Sequence, residues 1–140
     1  MDSAGSTAPR LYPTFRYRDA PRMIDWLCEA FGFTLDAKYM DGATVAHAQL
    51  SLGPSMIMLG SVRDDAFGEM VGAPEGNGGK SVYVAVDDAD AAYAKAIAAG
   101  ATILEQITDR DYGSRDFICA DPEGVVWCFG TYRPAPGEKG

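Results

Sequence analysis

Along residues 11–19 (LYPTFRYRD) aromatic and β-branched side chains alternate with polar ones, the period of two expected of a half-buried strand. The period then changes. Met23, Ile24, Trp26, Leu27, Ala30 and Phe31 recur at helical spacing, Asp19 stands where a helix cap is needed, Pro21 suits the first turn, and Gly32 follows the last apolar residue. Three more alternating runs follow: FTLDAKYM, TVAHAQLSL and SMIML. Asp41 with Gly42 and Gly53 with Pro54 separate them, and an Asp-Gly pair between alternating runs predicts a hairpin.

The stretch GEMVGAPEGNGGK, with five glycines, breaks the pattern and is too flexible in composition to belong to either sheet. It reads as a connector over residues 66–79. The same order of elements then repeats. SVYVAVDD predicts a strand, ADAAYAKAIAAG a helix capped by Asp88 and stopped by Gly100, and TILEQI, RDFICAD and VVWCFGTY three more strands. Aligning Asp19 with Asp88 brings Gly32 within one residue of the counterpart of Gly100, an offset of about 69 residues that points to an internal duplication. The predicted fold class is α+β: two βαβββ modules, 10–65 and 80–133, within one domain over 10–133, and loose ends at 1–9 and 134–140. Each helix covers one face of its sheet. The leftover faces are expected to form a curved, half-barrel mixed sheet around a pocket for a small molecule.

Composition narrows the functional classes. A chain of 140 residues, 47% hydrophobic and 23% charged, can bury a core without disulfides or a structural metal. It contains no run of 18 apolar residues, and Met1 to Pro9 lacks the basic start and apolar stretch of a secretion signal, so a cytoplasmic location is expected. Cys28, Cys119 and Cys128 are odd in number and widely spaced, which suits reduced thiols rather than a disulfide framework or a Cys-x-x-Cys site. The net charge of -8 argues against nucleic acid and membrane partners and would draw in a cationic ligand.

Four segments carry a family likeness: FRYRDAPRMIDWLCEAFGF, HAQLSLGPSMIML, VYVAVDDADAAYAKAIAAGA and YGSRDFICADPEGVVWCFGTY. In this order they resemble the glyoxalase, bleomycin-resistance and extradiol dioxygenase superfamily, also called vicinal oxygen chelate proteins, over about 120 residues. The turn of Asp121, Pro122, Glu123 and Gly124 before a hydrophobic strand is the most specific element. The resemblance implies paired βαβββ modules, a homodimer, and a pocket that in the enzymes holds a divalent metal. Because its members include lyases, isomerases, epimerases, ring-cleaving dioxygenases, thiol transferases and non-catalytic drug-binding proteins, the fold leaves the activity open. Carried over by motif to within about one residue, the four metal-ligand positions fall on Tyr12, Met58, Ser81 and Cys128. None is a His or a carboxylate. Such a set suits none of the usual catalytic metals, and moving the last position to Trp127 or Phe129 does not help. No metal and no other cofactor is therefore expected.

The single histidine, His47, lies mid-strand. Alternation places Ala46, Ala48, Leu50 and Leu52 toward the helix and Val45, His47, Gln49 and Ser51 toward the pocket. A lone His there is more often a hydrogen-bonded or ligand-contacting residue than a metal ligand, and no partner carboxylate can be read beside it, so no catalytic residue is assigned. The same alternation assigns Phe15, Tyr17, Ile57, Leu59, Val82, Val84, Trp127 and Phe129 to the core. Its opposite face, together with Ser81, yields the candidate ligand-binding set: Tyr12, Thr14, Arg16, His47, Gln49, Met56, Met58, Ser81, Tyr83 and Cys128, with Val126 beside them. Aromatic and thioether groups with a few polar ones suit an amphipathic organic ligand.

Arg16 and Arg115 could each hold a carboxylate or phosphate, although a strand Arg more commonly makes a surface ion pair. Asp87, Asp88 and Asp90 sit where carboxylates favour a helix N-terminus rather than Ca²⁺. Cys119 and Cys128 lie on the last two strands and are expected to be buried and inert. Gly113 and Ser114 suggest a mobile rim loop. The leading expectation is metal-free binding of a small organic molecule, for drug or toxin sequestration. The alternatives are a metal-dependent lyase, isomerase or dioxygenase with shifted ligands, such as His47 with Glu69 or Glu75, and a regulatory module whose pocket face is covered by a partner chain.

Overall fold

The computed structural model describes residues 7–137; the outermost parts of the two ends expected to be loose, 1–6 and 138–140, lie outside the described residues. Two compact units divide the chain at residues 73 and 74. Each is a βαβββ module, and the fold class is α+β.

The first unit runs β1 (Thr14–Tyr17), α1 (Ala20–Phe31), β2 (Thr34–Asp41), β3 (Thr44–Leu52), β4 (Ser55–Ser61), with sheet order β1-β4-β3-β2. Only the β1 and β4 pair is parallel. Helix α1 begins where Asp19 accepts a hydrogen bond from the Arg22 amide at 3.2 Å. It ends at Gly32, whose left-handed backbone (φ 82°) lets its N–H reach the Cys28 carbonyl. Between these caps one stripe of Met23, Ile24, Leu27 and Ala30 is buried, as are Tyr17, Val45, Ala48, Leu50, Ile57 and Leu59 of the sheet. Each large side chain in that layer contributes roughly 1.5–3 kcal/mol through burial.

Two β-bulges alter the expected alternation. One extra residue, Asp36, stands on β2 where Leu35 pairs with Leu50 and Ala37 with Gln49; another, Ala46, stands on β3 where Tyr39 pairs with His47 and Met40 with Val45. The second bulge reverses the parity of everything before it. Val45, expected toward the pocket, is fully buried, whereas Ala46, expected in the core, is half-buried. Leu52, at the strand's end, is half-buried as well.

The stretch expected to be a plain connector contains a short helix, α2 (Ala66–Val71), which belongs to neither sheet. Asp65 caps it by accepting from the Gly68 amide at 2.7 Å.

The second unit repeats the first: β5 (Val82–Ala85), α3 (Ala89–Ala98), β6 (Thr102–Asp109), β7 (Arg115–Ala120), β8 (Val126–Gly130), in order β5-β8-β7-β6 with β5 parallel to β8. Asp88 caps α3 through the Ala91 amide at 3.0 Å. Helix α3 is built mainly of alanine, so bulk comes from the sheet side: Phe117, Phe129 and Trp127 are buried, with Phe117 and Phe129 stacked at 5.3 Å. The duplication extends to single hydrogen bonds. The Val45 amide donates to the Ser61 hydroxyl at 2.8 Å, and 70 residues further on the Arg115 amide donates to the Thr131 hydroxyl at 3.0 Å.

The turn into β8 rests on one side chain. Asp121, almost fully buried, accepts from the Glu123 and Val125 amides at 3.0 and 3.1 Å and, on its other oxygen, from the Trp127 indole N–H at 3.1 Å. The carboxylate thereby ties the turn to the core. Among the described residues no helix is long and apolar enough to cross a membrane.

Candidate functional site

In each unit the sheet face opposite the helix carries the candidate residues, in rows fixed by strand register. In the first unit Thr14, Met58 and Gln49 form one row across β1, β4 and β3, Met56 lies beside Ser51, Arg16 beside Gly60, and His47 beside Tyr39. Met56 and Met58 are half-buried, while Tyr12, before β1, is 41% exposed. The His47 ring packs against Tyr39 (6.2 Å, interplanar 25°), and its Nε2 lies 3.0 Å from the Gln49 Oε1. This neighbour orients the ring, and among the described residues no carboxylate is hydrogen-bonded to it.

Arg16 makes the ion pair that a strand arginine ordinarily makes. Both its terminal nitrogens donate to Asp65, each at 3.2 Å, and its guanidinium lies over the Phe67 ring at 5.1 Å. The pair holds the Asp65 carboxyl below the usual carboxylate range, with the Gly68 amide bond adding to the effect. Helix α2 is thus tied at its first turn to the open face of the sheet.

In the second unit Tyr83, Cys128 and Ile118 share a row, and Asp116 lies beside Gly130. Gly130 is required there, because a Cβ would come within 2.7 Å of the Tyr83 hydroxyl and 2.8 Å of the Asp116 Cβ. The Tyr83 hydroxyl crosses that space and donates to the Tyr132 carbonyl at 2.7 Å. Asp116 is 3% exposed; its Oδ1 accepts from Arg110 Nε at 2.7 Å, and Arg110 also pairs with Glu105. Burial raises the Cys128 thiol, and Asp116 raises it further. Ser81 lies exposed just before β5, at the edge of this set.

Of the other residues singled out in the sequence, Ser114 departs from its expected place, whereas Arg115 and Asp88 take the ones expected. Cys119 and Cys128 sit on opposite faces, because Cys119 pairs with Trp127 and Cys128 with Ile118; burial pushes the Cys119 thiol up to about 12. Ser114, expected in a mobile loop, is buried, and its hydroxyl accepts from the Tyr132 amide at 3.2 Å. Arg115 is a surface ion-pair residue with Asp90 and Asp109, and Asp88 is a cap. Asp116, Arg110, Tyr112 and Tyr132 join this cluster without having been among the candidates. Period-two alternation along β7 could have placed Asp116 opposite Phe117; nothing local marks the other three.

The family model for the Glyoxalase/Bleomycin resistance protein/Dioxygenase superfamily matches residues 11–129. The chain belongs to this superfamily. Its relatives include the uncharacterized protein Mb0911c of Mycobacterium bovis, 30% identical over 126 residues, a match spanning 87% of this chain and 82% of that one. Among solved structures, TioX from Micromonospora sp. ML1 superposes with a TM-score of 0.74 at 29% identity, over 90% of this chain and 100% of that one. A superfamily enzyme from Burkholderia phytofirmans PsJN shares the fold at a TM-score of 0.67 and 22% identity, over 85% of this chain and 94% of that one.

Superfamily enzymes hold a divalent metal, and the four transferred positions can be tested for it. Tyr12 and Ser81 offer hydroxyls, Met58 a thioether, and Cys128 a thiol whose burial favours the protonated form. Among the described residues no group of three His, Cys, Asp or Glu side chains is placed to hold a metal, and this includes His47 with Glu69 or Glu75. The donor set does not fit the superfamily's metal.

Proposed function

We propose that this superfamily member binds a small amphipathic organic molecule without a resident metal, as a cytoplasmic homodimer whose role is to sequester a drug or toxin. The observation that carries the proposal is the replacement of metal-binding donors at all four transferred positions by Tyr12, Met58, Ser81 and Cys128. On the open face of the first unit the half-buried Met56, Met58, His47 and Gln49 supply adaptable apolar contact with a few orienting polar groups.

Two measurements test it. Elemental analysis after dialysis against Ni²⁺, Zn²⁺, Mn²⁺ and Fe²⁺ is expected to find far less than one metal per chain. A thermal-shift screen of amphipathic compounds is expected to find ligands that stabilise the wild type, by about 2.7 kcal/mol at a hundredfold excess over Kd, and that lose their effect with Met58→Asp. Stoichiometric metal that disappears with His47→Ala would overturn the reading in favour of a metal-dependent enzyme.

A further inference from the structure

Beyond β8 and within the turn between β6 and β7, two tyrosines meet edge to face. The rings of Tyr112 and Tyr132 lie 6.2 Å apart at 87°, and they are 64% and 42% exposed. Exposed tyrosines are ordinarily mobile, but both of these are held. The Tyr132 backbone accepts from the Tyr83 hydroxyl through its carbonyl and donates to the Ser114 hydroxyl through its amide. The Tyr112 hydroxyl points to Asp116 Oδ2 at 3.5 Å, longer than the usual 2.5–3.0 Å for such a bond. Asp116 Oδ1 takes the Arg110 guanidinium, so Oδ2 is the carboxylate oxygen with acceptor capacity left over.

Tyr112 and Tyr132 thus form an aromatic corner in which the Tyr112 hydroxyl is directed at the buried Asp116 carboxylate. Its surroundings are acidic: from Glu105 to Asp116 four carboxylates are set against two arginines. Aromatic faces and edges accept a flat ring, and the ring quadrupole and net negative charge together favour a positive one.

We propose that Tyr112, Tyr132 and Asp116 form a seat for a flat aromatic cation. The seat rests on the small-molecule reading given above and adds to it the chemical class of the group recognised. Tyr83 and Ser114 are positioning residues, holding Tyr132 in place without belonging to the seat.

Isothermal titration calorimetry with 9-aminoacridine, protonated at neutral pH, and with anthracene-9-carboxylate, a flat anion of similar size, tests the assignment. The cation is expected to bind one per chain and the anion at least about tenfold more weakly. Tyr112→Ala and Tyr132→Ala, both exposed positions, are each expected to weaken the cation by about fivefold. Asp116→Asn is expected to narrow the gap between the two probes, with thermal melting as the check that this buried variant folds. Equal affinities, no binding of the cation, or indifference of its binding to both tyrosine variants would overturn the seat. A screened ligand that depends on Met58 but not on Tyr112 or Tyr132 would remove the seat and leave the proposed function standing; failure of every compound, whatever its charge, would remove both.

Discussion

Asp121 shows how one side chain can account for a sequence motif. Its two oxygens satisfy two half-buried turn amides and the fully buried indole of a tryptophan. Asp121→Ala should therefore cost about 3 kcal/mol, because it strands those donors rather than merely deleting a contact. Urea unfolding would register this as a lower midpoint at unchanged slope. A loss under about 1 kcal/mol would mean the turn is held by its backbone alone. Residue-level logic also explains what the sequence hid. The importance of Gly130 lies in a phenol from another strand that crosses it, and no local pattern announces such a neighbour.

Among the elements, the helices were the most legible. Asp19, Pro21 and Gly32 bound α1 in the sequence as in the structure, and Asp88 does the same for the start of α3, because capping is local chemistry. Strand faces were legible only up to the bulges. Ala46 adds one residue to β3, which is enough to turn Val45 into the core, and an inserted residue leaves no mark on composition. Helix α2 was hidden by the glycine-rich stretch it opens, and the arginine that holds its cap Asp65 is 49 residues away in sequence. That contact carries a pH prediction. The Asp65 carboxyl is depressed in the folded state, so the stabilisation it provides is complete above its ordinary pKa of 3.8 and is lost as pH falls through the lower folded value. The Gly68 amide resonance should titrate with a midpoint below 3.8, move toward that value in Arg16→Lys, and stop titrating in Asp65→Asn. A midpoint at or above 3.8 in the wild type would show that α2 is not tied to Arg16 in solution.

For the molecule as a whole, superfamily membership and the two-module architecture were readable because duplication repeats every signal at a near-constant offset. The aromatic corner was not, since Tyr112 and Tyr132 are brought together by Ser114 and Tyr83, residues that no sequence period connects. Total charge also acts at this scale. At -8 the protein should attract cations over a distance set by ionic strength, roughly 10 Å at 0.1 M salt. Association of 9-aminoacridine should therefore slow several-fold between 20 and 200 mM NaCl, whereas a neutral analogue should be unaffected, as stopped-flow mixing would show. Equal salt response of the two would mean that steering plays no part.

The chain has two tryptophans, Trp127 in the second unit and Trp26, 7% exposed, in the first. Each half thus carries its own intrinsic fluorophore. Trp26→Phe leaves an emission signal from the C-terminal repeat alone, and Trp127→Phe one from the N-terminal repeat. Without any attached dye, the two descendants of the duplication can be watched separately as they melt, or as one of them takes up a ligand that the other ignores.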